Sequence, residues 1–125
     1  MDPTIGHLDV RHEMKCEKER VDLWLRHAKG GIAHFVEVGF FSKKKVEDDL
    51  LKLKRLKPND ARWFLAFFRG EMAKSCGNTV SRSIARANGL DADLMTFNPE
   101  HADHFEVYRP GKPGECFGYA LIKGK

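Results

Sequence analysis

The chain has 125 residues, 42% hydrophobic and 32% charged, which fits a single soluble domain with a modest core and argues against a disordered chain. No apolar run approaches the roughly 20 residues that a bilayer-spanning helix needs, and the N-terminal Met-Asp-Pro-Thr lacks the basic and apolar regions of a secretory signal. A cytoplasmic chain, with no membrane partner, is therefore expected. The net charge of +4 has a local origin: between Ser42 and Lys57 seven basic residues stand against three acidic ones, an excess equal to that of the whole chain. A field concentrated in this way steers anions.

Met1 to Gly6 reads as a frayed end, and residues 8–15 as a short strand. Residues 20–26 (RVDLWLR) alternate, with Val21, Leu23 and Leu25 on one face and Asp22 and Trp24 on the other, the period of a strand. Gly30-Gly31 then marks a turn, and residues 32–41 (IAHFVEVGFF) resume the strand pattern with Phe35, Glu37 and Gly39 sharing a face. Ser42 is the expected N-cap of a helix whose apolar stripe is Val46, Leu50, Leu53 and Leu56, with Asp48 and Lys52 paired on its outside. Pro58 stops that helix at Lys57, because the residue before proline avoids the α region.

Residues 61–68 (ARWFLAFF) are almost wholly apolar, which predicts a strand covered on both faces. Strand, helix, strand in this order implies a right-handed βαβ crossover with parallel pairing. Residues 79–88 read as a second helix, stopped by Asn88-Gly89, and residues 104–108 and 116–122 as a hairpin at the sheet edge. No repeat or linker divides the chain, so 1–125 is read as one α/β domain with a mixed central sheet and flanking helices. Cys16, Cys76 and Cys116 form no CxxC pair, so neither a disulfide framework nor a zinc site is indicated.

The chemistry lies in the first hairpin. If Lys29-Gly30 forms a two-residue loop, Asp22 lies opposite Glu37; if Gly30-Gly31 forms it, the two lie diagonally on the same face. A three-residue loop would separate them. Opposed side chains sit about 4.5–5.5 Å apart at Cβ, and two carboxylates there require a bound cation, a shared proton or a neighbouring base. Mg²⁺ needs only one or two carboxylates, and Glu13 on the preceding strand offers a third acidic group. The alternative is ion pairing of the carboxylates with Arg20, Arg62 or Lys15.

Taken together, RVDLWLR, the glycine turn, HFVEVGFF, the helix KVEDDLLKLKRL and the strand RWFLAFF resemble the core of the PD-(D/E)XK, or restriction-endonuclease-like, nucleases, over roughly residues 8 to 69. The resemblance implies that Asp22 and Glu37 bind a divalent metal such as Mg²⁺, and that a lysine two positions beyond the acidic residue helps activate water for phosphodiester hydrolysis. This chain has Gly39 where the pattern wants that lysine. Either Lys43, Lys44 or Lys45 reaches back from the helix start as a migrated catalytic lysine, or the site is weakened or inactive.

Those three lysines occupy a helix first turn, where the macrodipole disfavours cations, and a bound phosphate would relieve the conflict. The alternative for the three lysines is a solvated basic surface with screened repulsion; nucleic acid is the partner expected with the resemblance, with Arg82 and Arg86 as further phosphate contacts or simply a polar helix face. His101 and His104 read as surface histidines, and Trp24 and Trp63 as packing residues. Three functions follow: a nucleic-acid-binding domain with a weakened or inactive nuclease site, an active Mg²⁺-dependent nuclease, or a protein-interaction module forming a homodimer through the C-terminal hairpin.

Overall fold

A computed structural model describes residues 8–16, 19–27 and 29–125, and the expected frayed end falls outside them. Seven strands form one mixed sheet in the order β1-β2-β3-β4-β7-β5, with β6 also pairing to β7. The strands are β1 (Leu8–Cys16), β2 (Glu19–His27), β3 (His34–Phe40), β4 (Ala61–Arg69), β5 (Met95–Thr96), β6 (Ala102–Val107) and β7 (Glu115–Gly124). Among the described residues three α-helices accompany them: α1 (Lys43–Leu56), α2 (Glu71–Lys74) and α3 (Cys76–Ala85), with a 3-10 turn at Pro99–His101.

The β3-α1-β4 unit is the expected crossover, since β3 and β4 pair in parallel while the other ladders are antiparallel. Helix α1 begins where its sequence dictates, because the Ser42 hydroxyl accepts a hydrogen bond from Lys45 N–H at 3.2 Å. Its stripe of Val46, Leu50 and Leu53 is fully buried against a sheet face built by Phe35, Phe64 and Ile122. Burying a side chain of this kind contributes about 1.5–3 kcal/mol, so this stripe, more than helix propensity, holds α1 in place.

All three helices lie on that one face. Gly124 and Gly118 of β7 have the same parity, and a methyl added to either would press on Leu50 of α1 or on Ala73 of α2 respectively. Gly77 of α3 approaches Ala102, which pairs with Ala120 on the same face. The expectation that β4 is covered on both faces is therefore corrected: Phe64, Ala66 and Phe68 are buried, whereas Trp63 and Leu65 are half-exposed and Phe67 is exposed. The other side, which no helix among the described residues covers, forms an apolar groove of about 370 Å³ along Leu23, Leu25, Val36, Leu65 and Leu121. An apolar run records the hydrophobicity of both faces and says nothing of what meets each.

Other expectations shift by smaller amounts. The second helix runs over Cys76–Ala85 instead of 79–88, because Cys76 and Val80 continue the buried spacing begun by Ala73. Gly89 instead lets the chain close on the Ser83 carbonyl of α3, where a Cβ would collide. Strands β6 and β7 pair as expected, but β7 lies inside the sheet between β4 and β5/β6, so only β6 is an edge.

One buried cation secures the end of the crossover. The Arg62 side chain donates to the carbonyls of Lys57, Pro58 and Asp60 at 3.1–3.2 Å and also to the Lys125 backbone oxygen. It therefore does not pair with Asp22 or Glu37, the alternative that sequence left open. Arg62→Ala leaves these acceptors without their donor, at about 1–3 kcal/mol for each that water cannot reach. Urea unfolding should show a loss of roughly 3 kcal/mol or more; a loss within experimental error would show that the cluster is solvated.

Candidate functional site: an acidic pair beneath a lysine-bearing helix

The β2–β3 ladder pairs Leu23 with Val36, Trp24 with Phe35 and Leu25 with His34. Extending this register by one step sets Asp22 opposite Glu37, as the Lys29-Gly30 arithmetic requires. The connection itself differs, since β2 ends at His27 and β3 begins only at His34, with Gly30 and Gly31 at φ 96° and 109° and a Gly30 N–H bond to the His27 carbonyl. These backbone angles suit glycine and close a wider loop without changing the parity.

The ladder stops at Leu23, and Asp22 takes over where it ends. The Asp22 carboxylate accepts the Val38 N–H at 2.8 Å, giving that backbone donor a side-chain partner in place of a strand carbonyl. Glu37 is only 3% exposed, and its Oε1 meets the Lys52 ammonium of α1. That oxygen is buried and receives no well-directed hydrogen bond, so the contact is ionic. Lys52 also donates to the Arg20 carbonyl at 3.0 Å, which anchors its head between β2 and β3. The expected Asp48–Lys52 surface pair is corrected: Asp48 pairs with Lys44 at 2.7 Å, and Lys52 turns inward.

Burial pushes the Glu37 carboxyl up to about 7, helped by its hydrogen bond with Asp22 and opposed by Lys52. One of the three remedies for opposed carboxylates is thus present, a neighbouring base, and the raised Glu37 carboxyl favours a second, a shared proton. A second lysine stands beside them. Gly39 has no side chain, and Lys45 runs through the space it leaves: a Cβ at position 39 would overlap Lys45 Cε and sit 3.2 Å from its Cδ. The Lys45 ammonium bonds Asp49 at 2.9 Å, which holds its proton more firmly, with smaller contributions from Glu37 and Asp22.

The remaining candidates are placed apart. Lys43 donates to the Asn88 carbonyl at 3.1 Å, and Lys44 is engaged with Asp48, so neither reaches back to the carboxylates. Glu13 faces Asp22 in the β1–β2 register, but the ladder skips this position, φ is 47°, and the exposed side chain lies 4.0 Å from Arg20. Arg82 and Arg86 are exposed on and just after α3, which packs on β7 and β6 and away from β2. His101 and His104 are exposed, and Trp24 is buried.

Among the described residues no group of three or more His, Cys, Asp or Glu side chains is arranged to hold a metal ion. Asp22 and Glu37 remain a hard two-oxygen donor set of the kind that suits Mg²⁺. A divalent ion on Glu37 would have to displace the Lys52 ammonium that already answers its charge.

Sequence reasoning missed Lys52 and Asp49. Lys45, Asp49 and Lys52 recur at spacings of four and three, each one residue before Val46, Leu50 and Leu53. That phase puts them on the border of the buried stripe, within reach of the sheet. No protein-family model, no curated protein and no solved structure matches this chain.

The raised Glu37 carboxyl has a consequence for stability. Below about pH 4.5 Glu37 is protonated in both folded and unfolded chains and costs nothing; between about 4.5 and about 7 the unfolded chain ionises it while the fold keeps the proton, so stability falls as the pH rises. Wild type should therefore lose stability relative to Glu37→Gln across this window, by up to about 3 kcal/mol, and the difference should level off above it. Urea midpoints measured at stepped pH check this, and parallel curves for the two proteins would refute it.

Proposed function

We propose that the chain is a nucleic-acid-binding domain of PD-(D/E)XK, restriction-endonuclease-like type, in which the divalent-metal site is weakened or catalytically inactive. The observation that carries this reading is the Asp22–Glu37 pair set on a hairpin that feeds a parallel βαβ unit, with Lys52 against Glu37. Such a pair suits metal-dependent phosphodiester chemistry, whereas a tethered ammonium neutralises it without supplying a Lewis acid or a bound water. Lys45 and Asp49 balance each other beside it, so little charge is left to polarise an attacking water.

A specific observation favours a second reading, an active nuclease. Of the three lysines at the helix start, Lys45 is the one that fills the place left by Gly39 and feels the charge of Asp22 and Glu37. In that case Lys45 supplies the cation that the sequence pattern wants at position 39. Gly39→Lys would then be redundant and would have to push the flexible end of Lys45 aside.

One set of measurements tests both. Wild type, Asp22→Ala and Lys45→Ala are compared for binding and cleavage of single- and double-stranded DNA and RNA with Mg²⁺ or Mn²⁺. The first reading expects binding that weakens steeply with salt and cleavage no greater than that of Asp22→Ala. Metal-dependent cleavage lost in both Asp22→Ala and Lys45→Ala selects the second reading. Failure of wild type to bind any of the four nucleic acids at low salt overturns both.

A further inference from the structure

The lysines at the start of α1 drew attention as phosphate contacts, yet most of the cations of this helix are already engaged within the protein. Lys43 is held by the Asn88 carbonyl, Lys44 by Asp48, Lys45 by Asp49, Lys52 by Glu37 and Arg55 by Glu19. Charges satisfied in this way contribute little to an anion's binding, because each must first be released from its partner.

A different group of cations is arranged otherwise. Arg11 of β1 faces Trp24 of β2 directly in the ladder, and its guanidinium carbon lies 5.1 Å from the centre of the indole ring. Arg26, two residues after Trp24 on the same strand, lies at the same distance from the same ring. Trp24 pairs in turn with Phe35 of β3, and the ammonium of Lys57, at the end of α1, stands 5.1 Å from the Phe35 ring centre. Three cations from three elements therefore rest on two adjoining aromatic rings. Their one carboxylate contact among the described residues is Asp9, 3.9 Å from Arg11; Arg26 and Lys57 have none within ion-pair distance there.

Each ring fixes its cation in place through the face of its π-system. A guanidinium resting over a ring has no need to spend its N–H donors there, and those donors match the oxygens of a phosphate. Three like charges gathered on a buried aromatic floor repel one another, and a polyanion lying across them would relieve the repulsion. The patch also adjoins the acidic pair. Asp22, Trp24 and Arg26 are alternate residues of β2, and Glu37 and Phe35 alternate on β3, so the patch continues the same strands at about 3.3 Å per residue.

We infer that Arg11, Arg26 and Lys57 form the principal contact for a nucleic-acid phosphate backbone, leading that backbone along β2 toward Asp22 and Glu37. This rests on the nucleic-acid-binding reading above and relocates its interface from the start of α1 to the far end of that helix.

The test is fluorescence anisotropy with labelled double- and single-stranded oligonucleotides of both DNA and RNA over a salt series. It compares wild type, a triple Arg11→Gln/Arg26→Gln/Lys57→Gln variant, and Lys43→Gln/Lys44→Gln. Removing three phosphate contacts should flatten the slope of log affinity against log salt by about 2.7 on duplex DNA and about 2 on single strands. The same variant should bind about tenfold or more weakly at low salt, and the Lys43/Lys44 variant should bind nearly as wild type does. Arg26→Gln alone, at an exposed strand end, flattens the duplex slope by about 0.9 and serves if the triple variant unfolds, which its thermal midpoint reports. Wild-type binding with unchanged slope and affinity in the triple and Arg26→Gln variants overturns the patch and leaves the nucleic-acid reading standing. Absence of wild-type binding to every oligonucleotide overturns both.

Discussion

A carboxylate set in the covered face of a sheet must have its charge answered from within the protein, and Glu37 imposes that demand on the helix above it. Helix α1 meets it by its phase. Val46, Leu50 and Leu53 fill the space over Phe35 and Phe64, and the residues one step earlier, Lys45, Asp49 and Lys52, fall along the edge of that contact. Lys52 reaches Glu37 from there, and Lys45 occupies the room left by Gly39. Rotation of α1 by one residue would expose the leucines and leave Glu37 facing hydrocarbon. Apolar packing and the ionic contact thus select the same orientation.

Most of the first half of the fold could be read from the sequence, because its signals are local and redundant. Ser42 caps α1, Pro58 ends it, the leucine spacing gives its buried side, and the order of elements gives the parallel crossover. The Asp22–Glu37 pairing was legible too, since parity survives any loop that keeps the register even though the actual loop is longer than two residues. The destination of long side chains was not legible. Lys52 satisfies the i,i+4 rule with Asp48 on paper, but Lys44 takes Asp48 and a buried carboxylate attracts Lys52 more strongly. Arg62 was likewise a plausible partner for the acidic pair until three carbonyls at the end of α1 claimed it.

The second half resisted for another reason. Ala73, Cys76 and Val80 carry an apolar spacing across Gly77-Asn78, a dipeptide that reads as a break, so the helix begins earlier than its composition announces. Strand β7 and its pairing with β6 were recognised but not its pairing with β4: that is a long-range choice, made by the complementarity of Gly118, Ala120 and Ile122 with the helices above them. The open groove along β4 belongs to the same class of question. What covers a sheet face depends on where the connections cross, and here every crossing passes on one side.

The Arg62 cluster carries a meaning for motion as well as for strength. One guanidinium grips the last carbonyls around α1, the turn at Asp60 and the backbone of Lys125. Helix ends and strand ends ordinarily fray one by one, each at a small cost. Here they share an anchor, so opening of either should loosen the other. Amide exchange in the last turn of α1 and at the end of β7 should accordingly run at matched rates, joining two segments distant in sequence into one unit of local unfolding.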